Sequence, residues 1–255
     1  MAFAYYVLYT SNKVRPADIY AYRGMINEQI AKDWTAWHNH RLDSDTTIKQ
    51  YPKIQYKILE SRFAIVGLDS EKKHLFELAA QLPIWGTVNR QPKRIQFARL
   101  QQYYLDWQLL PKPQWYQCAN FLPMKSDQFN EYKALCLKLN LPYDAPTIQD
   151  PALLDFFENL LQKRIREQAE SLGISFPVEY IRIKIHPHPI QHRLTKYYKN
   201  TVFSKLSNLY FTMNLQWPLH LGVGYGTALG YGTLQSVNAK TVVHLIDNRL
   251  EDIKK

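Results

Sequence analysis

The chain of 255 residues carries 32 Lys and Arg against 22 Asp and Glu, a formal net charge of +10, with 46% hydrophobic residues and two cysteines, Cys118 and Cys136. That length and apolar content suit about two domains, and two isolated cysteines exclude a disulfide framework and a thiolate zinc cluster. No apolar run approaches the ~18 residues of a membrane span, and MAFAYYVLYTSNK lacks the n-region and cleavage site of a signal peptide, so a soluble protein in a reducing, cytoplasmic setting with no membrane partner is expected.

Phe3 to Thr10 is an aromatic and β-branched run that reads as a strand, and Pro16 opens a helix through about Trp37 on which Ile19, Ile26, Ile30 and Trp34 share one face. After the polar loop RLDSDTT, Ile54, Tyr56 and Ile58 alternate before Glu60-Ser61 and a second apolar run, a hairpin signal. Ser70 to Leu82 reads as an amphipathic helix ended by Pro83, and Ile95 to Leu110 as a strand. The order strand, helix, two strands, helix, strand is the ferredoxin-like βαββαβ order.

Pro111 and Pro113 suggest a linker, which divides the chain into domains 1–110 and 111–255. Tyr116 to Pro123 reads as a short strand and Asp127 to Lys138 as a helix. Asp150-Pro151 is an N-cap with proline at the first helical position, and Leu153, Phe157, Leu161 and Ile165 step by four along a helix that stops at Gly173. From Tyr180 onward strands dominate, beginning with YIRIKI and continuing through VFSKLSNLYFTMNLQWP. A degenerate copy of the first half fits this order, although no sequence repeat marks it.

Charge is unevenly placed. No acidic residue lies between Glu179 and Asp247, a tract holding Arg182, Lys184, Arg193, Lys196, Lys199, Lys205 and Lys240, and none lies from Leu78 to Leu105, which holds Arg90, Lys93, Arg94 and Arg99. A solvated basic face is the ordinary reading of such tracts; two of them, one ending in a glycine-rich segment, favour a polyanion, with nucleic acid the leading choice. Tyrosines interleave with the cations in KYYKNTVFSKLSNLYF and RLQQYYLDW, a mixture suited to RNA or single strands, since rings stack on unpaired bases while lysines track phosphates. Core packing explains most of those rings.

Five of the nine glycines, Gly222, Gly224, Gly226, Gly230 and Gly232, fall in LGVGYGTALGYGTL as G-h-G, five residues, G-h-G. Such a segment can take positive φ and bring N–H groups to an anion. Too few residues follow Gly232 for the strand-helix-strand unit of a dinucleotide-binding turn, and no Gly-Lys-Ser/Thr marks a Walker loop. A glycine-rich hairpin without a ligand is the bland alternative.

The sharpest chemistry sits at Trp37-His38-Asn39-His40. Two imidazoles two residues apart, followed by Tyr51, Lys53 and Lys57, supply a proton carrier near neutral pH and cations for phosphate charge. RNA cleavage needs little more: a base takes the proton from a ribose 2′-hydroxyl, that oxygen attacks the adjacent phosphate, and an acid protonates the leaving 5′-oxygen. Metal binding by the His-x-His pair with Asp43 or Asp45, and a purely structural role for both histidines, are the rivals. The run IHPHPIQHR, with His186, His188 and His192, reads as an extended loop fixed by Pro187 and Pro189 that lines an RNA groove, holds a metal, or does neither.

The glycine segment GVGYGTALGYG resembles the G-h-G, five residues, G-h-G loop of the CRISPR-associated endoribonucleases that cut precursor CRISPR RNA within its repeats. Arg23-Gly24, His38-Asn39-His40 and Tyr51-Pro52-Lys53-Ile54-Gln55-Tyr56-Lys57 look like hallmark segments of one branch of that family, in the same order, so the likeness runs from about residue 20 to 235. The resemblance implies an α+β fold of two tandem ferredoxin-like (RRM-like) domains, the second degenerate, and a cut without metal or cofactor that leaves a 2′,3′-cyclic phosphate and a 5′-hydroxyl. Carried over, His38 and His40 are the acid/base pair, with His40 favoured, and Tyr51 positions the ribose or phosphate. CRISPR repeat RNA is the implied partner, contacted by Arg23, Lys53, Lys57, Arg193, Lys196, Lys199, Lys205 and the five glycines. A multi-subunit CRISPR effector complex and a homodimer stay open as further assemblies, and a non-catalytic RNA-binding subunit of the same superfamily is the alternative function. One departure is plain: the family's five-residue insert usually holds a Lys or Arg, and Tyr225-Gly226-Thr227-Ala228-Leu229 holds none.

Overall fold

The computed structural model describes residues 2–29, 51–88, 90–124, 126–174, 176–186, 190–197, 201–207 and 209–237. Its compact units are Met1–Trp107 with Gly226–Gly230, and Gln108–Tyr225 with Tyr231–Lys255.

In the first unit β1 (Ala2–Lys13), α1 (Ile19–Gln29), β2 (Ile54–Leu59), β3 (Arg62–Leu68) and α2 (Lys72–Gln81) follow one another, then the hairpin β4 (Ile84–Val88) and β5 (Gln91–Ile95), then β6 (Phe97–Asp106). The sheet order is β2-β3-β1-β6, antiparallel throughout. Leu59 pairs with Arg62, and Glu60 and Ser61 both take positive φ, 52° and 61°, the primed turn that matches strand twist. Strand alternation brings Tyr6, Leu8, Ile54, Tyr56, Phe63 and Ile65 into one core with Ile19, Tyr22 and Ile26 of α1 and Leu75 and Leu78 of α2.

The expected helix to Trp37 is described as far as Gln29; the rest lies outside the described residues. The expected single strand Ile95 to Leu110 is corrected to three: β5 ends at Ile95, β6 covers Phe97–Asp106, and the next strand opens at Leu109. The β4-β5 hairpin escaped the periodicity because Gln91-Pro92-Lys93-Arg94 does not alternate; Pro92 fits a separate two-stranded ladder, where a missing donor is tolerated.

The second unit runs β7 (Leu109–Ala119), α3 (Ser126–Lys138), β8 (Thr147–Ile148), α4 (Pro151–Ser171), β9 (Ile183–Ile185), β10 (Ile190–Tyr197), β11 (Thr201–Ser207), β12 (Leu209–Leu215) and β13 (Thr233–Ser236). Its sheets are β13-β7-β12-β9 and β11-β10-β8. Ranked by chain order, the four-stranded sheets of both units read 4-1-3-2. The fold is thus α+β with two tandem ferredoxin-like units, and the second is degenerate: where the first has α2 before its last strand, no α-helix lies between β12 and β13 among the described residues.

Pro111 and Pro113 are not a linker. They lie within β7, where the register against β12 jumps from Gln114↔Met213 to Leu109↔Leu215, and that bulge absorbs residues that cannot donate to the ladder. The Asp150 cap forms as the sequence implies, its Oδ1 accepting from Ala152 N at 2.9 Å and Leu153 N at 3.4 Å.

Candidate nucleic-acid interface

The glycine segment is stitched into the fold by its own backbone. Val223 N donates to Gly232 O at 2.9 Å, Gly232 N to Ala119 O at 3.1 Å, Tyr225 N to Leu122 O at 3.0 Å, Leu229 N to Gly226 O at 2.8 Å and Gly230 N to Thr227 O at 3.2 Å. Two positions demand glycine: at Gly232, with φ +66°, a Cβ would stand 1.8 Å from Val223 O, and at Gly224, with φ +85°, it would stand 2.6 Å from the Phe121 ring. Gln168 of α4 clamps Gly224, donating to its carbonyl at 3.0 Å and accepting from its N–H at 3.3 Å. Arg164 lies 4.4 Å from the centre of the Tyr225 ring, and its guanidinium donates to Glu167 at 2.6 Å and Gln128 at 2.7 Å.

These bonds correct the expectation of an anion cradle built from loop amides. The N–H groups of Val223, Gly224, Tyr225, Leu229, Gly230 and Gly232 already donate within the protein, so Gly224, Gly230 and Gly232 serve close backbone approach. Arg164 and Gln168 escaped the sequence reading because each looks like an ordinary polar position on an amphipathic helix.

In the first unit, His38 and His40 lie outside the described residues. Tyr51 is buried, and burial pushes its phenol well above the ordinary range, against the opposing hydrogen bond with Gln55; the group stays protonated. Lys53 is exposed, 4.0 Å from Glu71. Lys57, expected to contact phosphate, is fully buried beside Tyr56. Neighbours on a strand point to opposite faces, so β2 is covered on both. Arg23 of α1 is half-buried, 5.8 Å from the centre of the Tyr56 ring, whose hydroxyl donates to Asn27 at 2.8 Å. The turn Thr227–Leu229 packs against β2, so the segment that follows Tyr51 and part of the glycine segment meet within one unit.

The β10-β11 hairpin brings together two more of the expected cations. Arg193 and Lys205 are directly cross-strand partners, Arg193 exposed and Lys205 half-buried. Burial first, and the Arg193 charge second, push the Lys205 ammonium down. Like charges opposite one another are unfavourable alone and are relieved by an anion. With Pro146, Thr147, Gln191, His192 and Ser207 they line a depression of about 470 Å³. The backbone of Lys196 continues β10, its side chain lies outside the described residues, and so does Lys199.

His192 departs from the extended-loop expectation: it sits in β10, only 4% exposed. Its backbone N–H donates to Pro146 O at 2.8 Å, and Nδ1 lies 2.8 Å from Ala145 O, so Nδ1 carries the proton. Nε2 is buried without a hydrogen-bond partner. Burial lowers the ring's pKa, opposed by the Ala145 bond and by Asp144. His186 lies against Trp115, 3.8 Å between ring centres and tilted by 33°, and His188 lies outside the described residues. Among the described residues no three His, Cys, Asp or Glu side chains gather as metal ligands, and no helix is long and apolar enough to cross a membrane.

Residues 1–105 match the family model of the Cas6b N-terminal domain. A crystal structure of Cas6b superposes with a TM-score of 0.73 at 19% identity, covering 93% of this chain and 100% of that one. A structure of the CRISPR RNA processing endoribonuclease Cas6b gives 0.62 at 18% identity over 92% and 99%. Csf5, a type IV Cas6 crRNA endonuclease, gives 0.56 at 12% identity over 92% and 100%. No curated protein sequence matches the chain. Residues 1–105 are thus similar to the Cas6b N-terminal domain, and the chain shares its fold with the Cas6b and Csf5 structures.

Proposed function

We propose that the chain is a metal-independent endoribonuclease that cuts CRISPR repeat RNA in precursor transcripts, with 1–110 and 111–255 as its two domains. The observation that carries this is the Cas6b N-terminal domain match over residues 1–105, the stretch containing His38, His40 and Tyr51. Two of the structural relatives are described as a CRISPR RNA processing endoribonuclease and a crRNA endonuclease.

In this reading one of His38 and His40 takes the proton from the 2′-hydroxyl; the freed oxygen bonds to the adjacent phosphorus, the bond from phosphorus to the 5′-oxygen breaks, and the protonated partner supplies that oxygen's proton. The products are a 2′,3′-cyclic phosphate and a 5′-hydroxyl. Tyr51, kept protonated by burial, is suited to donating a hydrogen bond and not to acting as the base. Arg193 and Lys205, facing each other across a hairpin, serve as phosphate contacts with Lys196, Lys199, Lys53 and Arg23. The glycines hold the backbone surface on which RNA lies.

Incubating labelled repeat RNA with the purified protein in EDTA tests this. Wild type is expected to cut it, and His40→Ala to lose at least about 100-fold in single-turnover rate, the usual scale of acid-base catalysis, while binding RNA as tightly. An RNA that is bound but left uncut by wild type identifies a binding subunit instead.

A further inference from the structure

The β4-β5 hairpin carries a feature that none of the residues discussed above uses. Alternation divides it: Ile84, Val88 and Ile95 are buried, whereas Trp85, Thr87, Pro92 and Arg94 are exposed. Gly86 lies on the inner side, where a Cβ would come within 2.7 Å of Met25 of α1. Trp85 is 60% exposed, a large aromatic ring left mostly to water.

Trp85 and Arg94 are cross-strand partners, and the Arg94 guanidinium lies 5.4 Å from the indole centre. Both backbone carbonyls of this pair are held by the body of the unit: Gln29 of α1 donates to Trp85 O, and Asn12 of β1 donates to Arg94 O at 2.6 Å. Asn12 also accepts from Gln96 N at 3.0 Å, fixing the end of β5. An exposed ring is therefore presented on a braced platform, which lowers the ordering cost of binding. The hairpin itself carries charge of one sign, because the sequence from Leu78 to Leu105 contains no carboxylate and holds Arg90, Lys93 and Arg94.

We propose that the Trp85-Arg94 pair is a stacking site for an unpaired nucleotide of the bound RNA, the indole taking the base and Arg94 a flanking phosphate. A ring backed by a guanidinium binds any base face, so the site grips single-stranded RNA without reading its sequence. A duplex has no free base face to offer it. The inference rests on the RNA-binding reading given under Proposed function.

Binding of a labelled single-stranded oligouridylate and of the repeat RNA, measured by anisotropy for wild type, Trp85→Ala, Trp85→Phe and Arg94→Ala, tests it. Trp85→Ala is expected to weaken oligouridylate binding about tenfold or more and Trp85→Phe to recover most of that, as base stacking on a ring predicts. Arg94→Ala should weaken binding and flatten its salt dependence by roughly 0.7 in log K per log salt, the value of one phosphate contact on a single strand. Wild-type binding that Trp85→Ala and Arg94→Ala leave unchanged overturns this site alone. Wild type that binds neither RNA overturns both this site and the RNA-binding reading.

Discussion

Gly232 and Gly24 occupy opposite situations. At Gly232 an added Cβ would meet the Val223 carbonyl at 1.8 Å with φ at +66°, whereas at Gly24, within α1, it would meet nothing within 4 Å among the described residues. Strain plus a backbone collision makes Gly232→Ala destabilising by about 2–3 kcal/mol, roughly 5–10 °C in Tm for a chain of this size. Gly24→Ala instead removes backbone freedom from a helix and is expected to add about 0.5–1 kcal/mol. Thermal unfolding followed by circular dichroism separates the two, and equal shifts would contradict the packing described for the segment.

Among elements, β10 ties the loop at Ala145 and Pro146 to the hairpin through one residue, His192, whose ring bonds to Ala145 O and whose backbone N–H donates to Pro146 O. His192 has a pKa below the ordinary value in the folded chain because burial disfavours its charged form. The unfolded chain therefore binds the proton first, so the stability that His192 contributes is present above about pH 6.5 and is lost as pH falls from there toward its folded value. Urea unfolding at pH 7.5 and 5.5 should show a smaller loss for His192→Asn, which lacks the titrating group, than for wild type. An identical loss would mean that His192 titrates as freely in the folded chain as in the unfolded one.

How legible these elements were depended on the signal each carried. The Asp150-Pro151 cap and the alternation of Ile54, Tyr56 and Ile58 are local, and local rules placed α4 and β2 correctly. β7 was misread at its start because Pro111 and Pro113 look like a break until the bulge against β12 is known. Lys57, named as a phosphate contact, is buried, and only tertiary packing shows β2 buried on both faces. The glycine segment was visible as a cluster, but its clamps, Arg164 and Gln168, lie some 60 residues earlier and carry no sequence mark.

At the scale of the whole molecule, two sheets share the 4-1-3-2 order, and the chain between the last two strands of the second sheet runs through the glycine-rich segment where the first has α2. The carboxylate-free sequence falls on β4, β5 and most of β6 in one unit and on β9 to β13 in the other. A net charge of +10 on such tracts supplies affinity for any polyanion; the proposed specificity for RNA rests on chemistry that needs a 2′-hydroxyl. The most direct measurement is cleavage in EDTA of repeat RNA carrying a single 2′-deoxynucleotide on the 5′ side of the cut. The modified strand is expected to bind as the all-ribose strand does and remain whole, while the all-ribose strand is cut to a 2′,3′-cyclic phosphate and a 5′-hydroxyl. Cleavage of the modified strand at that same bond, or cleavage of the all-ribose strand only when a divalent metal is added, would contradict the metal-free 2′-hydroxyl mechanism.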